Sequence, residues 1–418
     1  MREAGSSFLS SCLREIPAFR RNLARLSVLH LREGRLAIAL MTGSTFFQKC
    51  GRKLSPMVTP ASVSRLDLVV CACGQQEYTA RDAVETALFR GELDEKWNKF
   101  LRDIAAEDQA DELDLDLDEA AISAAADAFR YERDLITTEE TESWLTTRCL
   151  TLDDFNDYFA RRYYASTLRE DVMPDEADYQ TASPELRELF VTDSLLSGEL
   201  DRMTEELMRR LASRCAEPDP SPEAVFGEQG RFLEGQSLKV EDLPAWLTGL
   251  GRDSQWLNEM VALEAAYRKH CETVLIPRAR QRELAVLRLP LTRIEMEVIE
   301  LESHDAAQEA LFCVRDDGMS MEEVAAEDGY PYRHTNFLLE DIPADAQERF
   351  LSASPGDILE PMTRGDGFEL YRVLSKTEPH VGDPGVQSRI DRRLLDRHFS
   401  ELTSKYIQRR LGTSAPAG

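Results

Sequence analysis

From about Arg65 to about Leu284 the apolar residues recur at helical spacing, and beyond that point the period shortens to two. Helices and strands bury different stripes of side chain, so the chain must build a helix-on-helix region and a second region in which helices cover a sheet. In "GELDEKWNKFLRDIAAE", Trp97, Phe100, Leu101, Ile104 and Ala105 share one helical face. "TTEETESWLTTRCL" and "TLDDFNDYFARRYYASTLRE" each open on Thr followed by acids, a helix start, and carry Trp144, Leu145, Phe155, Tyr158 and Phe159 at helical spacing. Asp118 predicts the cap of another helix. Ahead of these, "RLDLVVCACGQQEYTARDAV" reads as strand, turn, short strand, and a helix capped by Thr79 with Asp82 three residues on. "MPDEADYQTASPEL" and "AEPDPSPEAVFGEQG" read as linkers or loops.

After the change of period, "LAVLRLPLTRIEMEVIEL" is strand-like, "SHDAAQEALFCVRDDG" is helical with Ser303 as cap, and "MSMEEVAAEDG" is a short helix starting at Ser320. "HTNFLLEDI" is a strand, and "PADAQERFLSASPGD" is a helix that begins at Pro343 and ends on Pro-Gly. "ILEPMTRGDGFELYRVLSK" gives two strands joined by a Gly-containing hairpin. The expected class is α+β, mostly helical modules plus a small antiparallel sheet with helices beside it. The helical part echoes itself: "RGELDEKWNKFLRDIAAE" is followed 107 residues later by "SGELDRMTEELMRRLASR", and "LTLDDFNDYFA" 88 residues later by "LKVEDLPAWLT". A duplicated module explains this, and so does the general likeness of amphipathic helices.

The 418 residues carry a net charge of −27, and residues 1–64 alone carry +7, which leaves −34 for the remainder. An acidic body excludes a nucleic-acid partner, which needs a cationic surface to displace counterions. No apolar run is long enough for a membrane span. The basic start fits an extension outside the fold; the apolar stretch "RLAIALMTGSTFF" lies far from the first residue and no small-residue cleavage site follows it, so export is the alternative. Eight cysteines without C-x-x-C spacing fit a reducing, cytoplasmic compartment, with the periplasm or secretion as the alternative. Cys71 and Cys73 point to one strand face without His partners, and the six histidines show no i, i+4 pair, so neither a metal nor a cofactor is expected. Nucleotide and serine-hydrolase fingerprints are missing from the sequence. The aromatics Trp97, Phe100, Trp144, Phe155, Tyr158, Phe159, Trp246 and Trp256 line either a peptide groove or, as such residues more often do, the core.

Several of these fragments resemble the parvulin-type peptidyl-prolyl isomerases found within multidomain chaperones of the SurA and PrsA kind. "AAQEALFCVRDDGMSMEEVAAEDG" is similar to the parvulin helix, Gly turn and following helix, and "DIPADAQERFLSASPGDILEPMTRGDGFELYRVLSK" to the later helix, Pro and Gly-aromatic-His strand. "RDLITTEETESWL" and "LTLDDFNDYFARRYY" resemble the helical chaperone module, and "VQSRIDRRLLDRHFSELTSKYIQRRL" the last helix, which in that family returns to the helical core. The resemblance implies a basic extension over 1–64, helical modules over 65–172 and 173–283, a parvulin-like domain over 284–378, and a C-terminal helix and tail over 379–418. It also implies substrate contacts at Glu297, Asp328, Ile342, Ala346 and Glu369.

The departures bear on chemistry. Where the family places one histidine on the first strand and another on the last, this chain has Glu297 (or Met296) and Glu369. Asp328 is the residue left for the Cys or Asp after the second helix, and the proline-pocket Phe falls near Ala346. Two facing carboxylates would repel and raise one pKa unless an arginine such as Arg293 or Arg372 approached; charges alternating along a strand are more simply a wet sheet face. Twisting a prolyl bond over a barrier of about 18–20 kcal/mol needs an apolar, hydrogen-bonded pocket. The implied function is therefore a peptide-binding chaperone with a degenerate parvulin domain, its client an unfolded or extended polypeptide, possible clients including a dedicated precursor peptide. An active isomerase and a structural scaffold are the alternatives, and no catalytic residue is assigned.

Overall fold

The computed structural model describes residues 64–168, 178–365 and 367–411. The basic extension expected over 1–64 thus lies, apart from Ser64, outside the described residues.

The chain starts with β1 (Val69–Cys73) and β2 (Gln76–Thr79), paired antiparallel around a turn in which Gly74 adopts φ +61°. Thr79 then caps α1 (Ala80–Phe89): its hydroxyl accepts the Asp82 N–H while the Asp82 carboxylate accepts from the Thr79 N–H at 2.8 Å. α2 (Asp94–Glu112), α3 (Glu119–Glu132, capped by Asp118), α4 (Thr138–Thr146, capped by Thr137) and α5 (Leu152–Leu168) follow. α2 and α5 pack against each other and enclose Phe100, Phe155, Tyr158 and Phe159.

Two helices overlap the expected loops, one across residues 222–230 and the other at 184–186 alone, the rest of it having no assignment from the sequence. α6 (Pro184–Ser197) and α8 (Pro222–Gly235) are helices, each with a serine N-cap (Ser183, Ser221) and proline in its first turn. Proline there gives up no hydrogen bond, since the first helical N–H groups have no acceptor within the helix. Between them α7 (Glu199–Ala216) is the hub, packing on α1, α6, β1 and two later helices and burying Leu200, Met203, Leu207, Leu211 and Ala212. α9 (Leu243–Leu250), α10 (Ser254–Val274) and α11 (Pro277–Val286) complete the helical body. α11 also corrects the strand expected from Leu284: the helix continues to Val286, and Leu287 and Leu291 turn into a separate apolar cluster with Val386 and Ile390.

The sheet unit is β3 (Arg293–Leu301), α12 (His304–Arg315), α13 (Met321–Asp328), β4 (Tyr332–Leu338), α14 (Ala344–Ser352), β5 (Met362–Arg364) and β6 (Gly367–Thr377), in the order read from the sequence. Its antiparallel strands lie in the order β4-β3-β6-β5. α12 and α13 cover the face carrying Ile299, Leu301 and Leu370, and α14 covers the face carrying Ile294, Met296, Val298, Tyr371 and Val373. α15 (Pro384–Tyr406) then runs back along α11, α10 and α7, and β7 (Ile407–Arg409), which the sequence did not reveal, pairs with β1 to close the order β2-β1-β7. The architecture is α+β.

Ion pairs fasten the sheet unit to α15. Glu340 accepts from Arg389 and Arg393 and Arg293 reaches Asp383, while Arg280 on α11 grips Asp391 at 2.6 and 2.7 Å and holds the helical body to the same helix. Among the described residues no helix is long and apolar enough to cross a membrane.

Candidate functional site

Register decides which of the proposed residues meet. Along β3, Ile294, Met296, Val298 and Glu300 point to the α14 side, while Glu295, Glu297, Ile299 and Leu301 point to the α12/α13 side. On β6, Glu369, Tyr371 and Val373 share the α14 side because Glu369 stands opposite Glu300, Tyr371 opposite Val298 and Val373 opposite Met296. Glu297 stands opposite Arg372 and faces away. The expected meeting of Glu297 with Glu369 is therefore replaced by a meeting of Glu300 with Glu369.

Glu369 is 5% exposed. Arg333, on β4, donates to its Oε1 at 2.6 Å and with its other arm to Glu300, so one guanidinium bridges both carboxylates. Tyr371 donates its hydroxyl to Oε2 of Glu369, and Arg364 stands 3.4 Å from the same oxygen. The expected arginines Arg293 and Arg372 are not the ones that approach Glu369: Arg293 binds Asp383, and Arg372 stands 3.8 Å from Glu297. Burial, and then the hydrogen bond to a carboxylate that would repel a phenolate, push the Tyr371 hydroxyl well above the ordinary tyrosine pKa. The local fold imposes this arrangement. Gly365 turns the β5–β6 hairpin at φ +59°, and a Cβ at Gly367 would stand 2.8 Å from the Leu301 carbonyl oxygen, so only glycine lets β6 enter so close to β3.

On the same face, Ile342 is buried and Ala346 partly buried, packed with Met296, Phe350, Tyr371 and Val373. The structure thus joins Ile342, Ala346 and Glu369 on one side and places Glu297 and Asp328 on the other. Glu297 accepts the Tyr332 hydroxyl at 2.7 Å, and that bond is the main reason the Tyr332 pKa rises to about 12. Asp328 is the exposed last residue of α13. Glu300, Arg333, Arg364 and Tyr371 belong to the cluster and were missed; the run Ile294, Met296, Val298 would have found Glu300 by continuing the alternation.

A groove of about 840 Å³ opens beside the sheet, between the end of α12, the end of α14 and the segment 356–360; Val314, Ala353, Ile358 and Leu359 line it together with Arg315, Arg349, Arg372, Asp357 and Glu360, and Arg315 donates to Glu360 at 3.2 Å. The aromatic residues considered for a groove lie elsewhere. Trp97, Phe100, Phe155, Tyr158, Phe159 and Trp246 are buried in the helical core, with Trp144 and Trp256 packed against it. Among the described residues no cluster of three or more His, Cys, Asp or Glu could hold a metal ion.

No protein-family profile and no curated protein matches the chain. Among solved structures it is similar to the peptidylprolyl isomerase PrsA of Bacillus anthracis, at 13% identity over 49% of this chain and 94% of that one with a TM-score of 0.29. It is also similar to the foldase protein PrsA of Lactococcus lactis, at 12% identity over 81% of this chain and 89% of that one with a TM-score of 0.26. A third similar structure is described among two SurA-like chaperones of Campylobacter jejuni, at 11% identity over 52% of this chain and 88% of that one with a TM-score of 0.18.

Proposed function

We propose that the protein binds extended polypeptide reversibly through the sheet unit, as a chaperone without prolyl-isomerase catalysis. The observation that carries this is the state of Glu369: both carboxylate oxygens are engaged, by Arg333 and by Tyr371, inside the sheet. A carboxylate held this way and only 5% exposed is out of reach of a substrate bond. The groove beside it has room for several side chains and presents apolar walls rimmed by three arginines and two acids, chemistry that suits an extended apolar segment with polar groups along its edges. A precursor peptide made for later maturation is one client of this class.

The test uses the full chain. It should suppress aggregation of an unfolded client at near-equimolar ratio while showing no turnover of a prolyl peptide above background, with Arg315→Glu plus Arg372→Glu weakening the suppression. Turnover well above background that disappears in Glu369→Ala would overturn the binding-only reading, and failure to bind any client would remove the chaperone.

A further inference from the structure

A second site lies in the helical body, independent of the peptide-binding reading of the sheet. α1, α7, α8 and α10 enclose a cavity of about 430 Å³ whose walls carry Arg90, Arg210, Arg231 and Arg268 against Glu92, Glu228 and Glu264. Four guanidinium groups in one cavity are unusual in a chain of net charge −27. Three are matched. Arg210 donates to Glu264 and, behind the wall, to Glu206 at 2.6 Å, and Arg231 and Arg268 converge on Glu228.

Arg90 is not. Its side chain is 5% exposed and Nη2 donates to Glu92 at 2.6 Å, but Nε and Nη1 are buried and meet no acceptor among the described residues. Buried guanidinium donors are costly to leave unpaired, so such a group marks a place where an acceptor arrives from outside. The neighbouring wall is apolar, formed by Phe89 stacked on Phe232 with centroids 4.4 Å apart. Gly235, the exposed last residue of α8, also lines the cavity, and a Cβ there would meet nothing within 4 Å.

We propose that this cavity binds a carboxylate attached to an aromatic or aliphatic group, with Arg90 taking the carboxylate and the Phe89/Phe232 wall taking the apolar part. Glu92, Glu228 and Glu264 in the wall and Glu206 behind it balance the four arginines, so a monoanion unbalances the set by one charge and a phosphate dianion by two. The volume admits a fragment-sized acid or the last residue or two of a polypeptide.

Isothermal titration of the full chain with acetyl-Ala-Ala-Phe as free acid, its C-terminal amide, 3-phenylpropionate and inorganic phosphate tests this. The free acids should bind, the amide at least about tenfold more weakly. A peptide acid tighter than 3-phenylpropionate identifies a polypeptide C-terminus as the source; equal affinities identify a free small acid. Arg90→Gln should lower acid affinity at least about tenfold. Gly235→Leu, which adds a side chain at the exposed edge of the cavity lining, should weaken binding at least about tenfold with the fold kept, and it decides the matter if Arg90→Gln unfolds. Equal binding of acid and amide, no binding of either acid, phosphate as the only ligand, unchanged affinity in a folded Arg90→Gln, or unchanged affinity in Gly235→Leu would overturn the proposal.

Discussion

Glu369→Ala separates a structural carboxylate from a chemical one. The substitution leaves the buried Tyr371 hydroxyl without its acceptor and removes one of the two partners of Arg333. Breaking a fully buried ion pair costs about 3–5 kcal/mol, but Arg333 and Arg364 are 41% and 57% exposed and water takes over part of their loss. What remains, mostly the unpaired hydroxyl at about 1–3 kcal/mol, gives a local destabilisation of about 2–3 kcal/mol. Glu369→Gln keeps an acceptor for Tyr371 and should cost about half of that. The sheet unit contains no tryptophan, so the suitable readout is hydrogen exchange in peptides covering β3 and β6. Amide exchange through sheet opening should accelerate about 30- to 150-fold in Glu369→Ala, and adding Tyr371→Phe should recover part of the loss, because the orphaned hydroxyl goes with it. Exchange within about threefold of the parent in Glu369→Ala, with no recovery from the second change, would show that Glu369 is a wet surface residue and the engaged-carboxylate reasoning is wrong.

Phe190→Ala should cost about 3–5 kcal/mol, since Phe190 is 2% exposed and meets Trp97 and Phe100 edge-on at 5.3 and 5.4 Å; urea unfolding followed by tryptophan emission reads it, and a loss below about 1 kcal/mol would mean a loosely packed core. Glu340→Gln should loosen the sheet unit from α15 by less than about 2 kcal/mol, seen as faster limited proteolysis across residues 378–383 and as a difference that shrinks at high salt; unchanged cleavage would deny that these pairs hold the joint. His270 and His398 meet at 3.1 Å between α10 and α15, and burial lowers the pKa of both, with His270 adding to the effect on His398. Because the unfolded chain then binds protons first as pH falls below about 6.5, these rings cost no stability above that pH and an increasing amount on the way down to their folded values. Glu217 and Lys269 near His270, and Glu401 near His398, act on the same rings, so the readout is a difference between proteins. His398→Gln should lose less thermal stability than the parent between about pH 7.5 and 5.5, and parallel curves would exclude the pair as the acid-sensitive element.

The features legible in the sequence are those a single turn of chain decides. Thr79 with Asp82, Asp118, Ser303 and Ser320 cap the helices assigned to them because a cap is a hydrogen bond to a backbone N–H two or three residues away. α6 escaped notice because it lacks an exposed stripe: Phe190 to Leu196 are all buried, so no helical period separates an inner face from an outer one. α8 was hidden by Pro222, Gly227, Gly230 and Gly235, residues that read as loop until Ser221 is seen to cap them. β7 is three residues with no pattern of their own, made a strand by β1. The carboxylate site combines both kinds of information. Alternation from Ile294 to Val298 already separates Glu300 from Glu297, so the parity was local and readable. That Glu300 lies opposite Glu369, and that Arg333 from the far strand joins them, depends on how β6 and β4 register against β3, including an irregularity between Glu295 and Met296 that the sequence of one strand does not contain. The family resemblance places the carboxylate by the position of the family's histidine on the first strand, whereas the sheet places it by parity, and where the two disagree it is parity that decides which side chains touch.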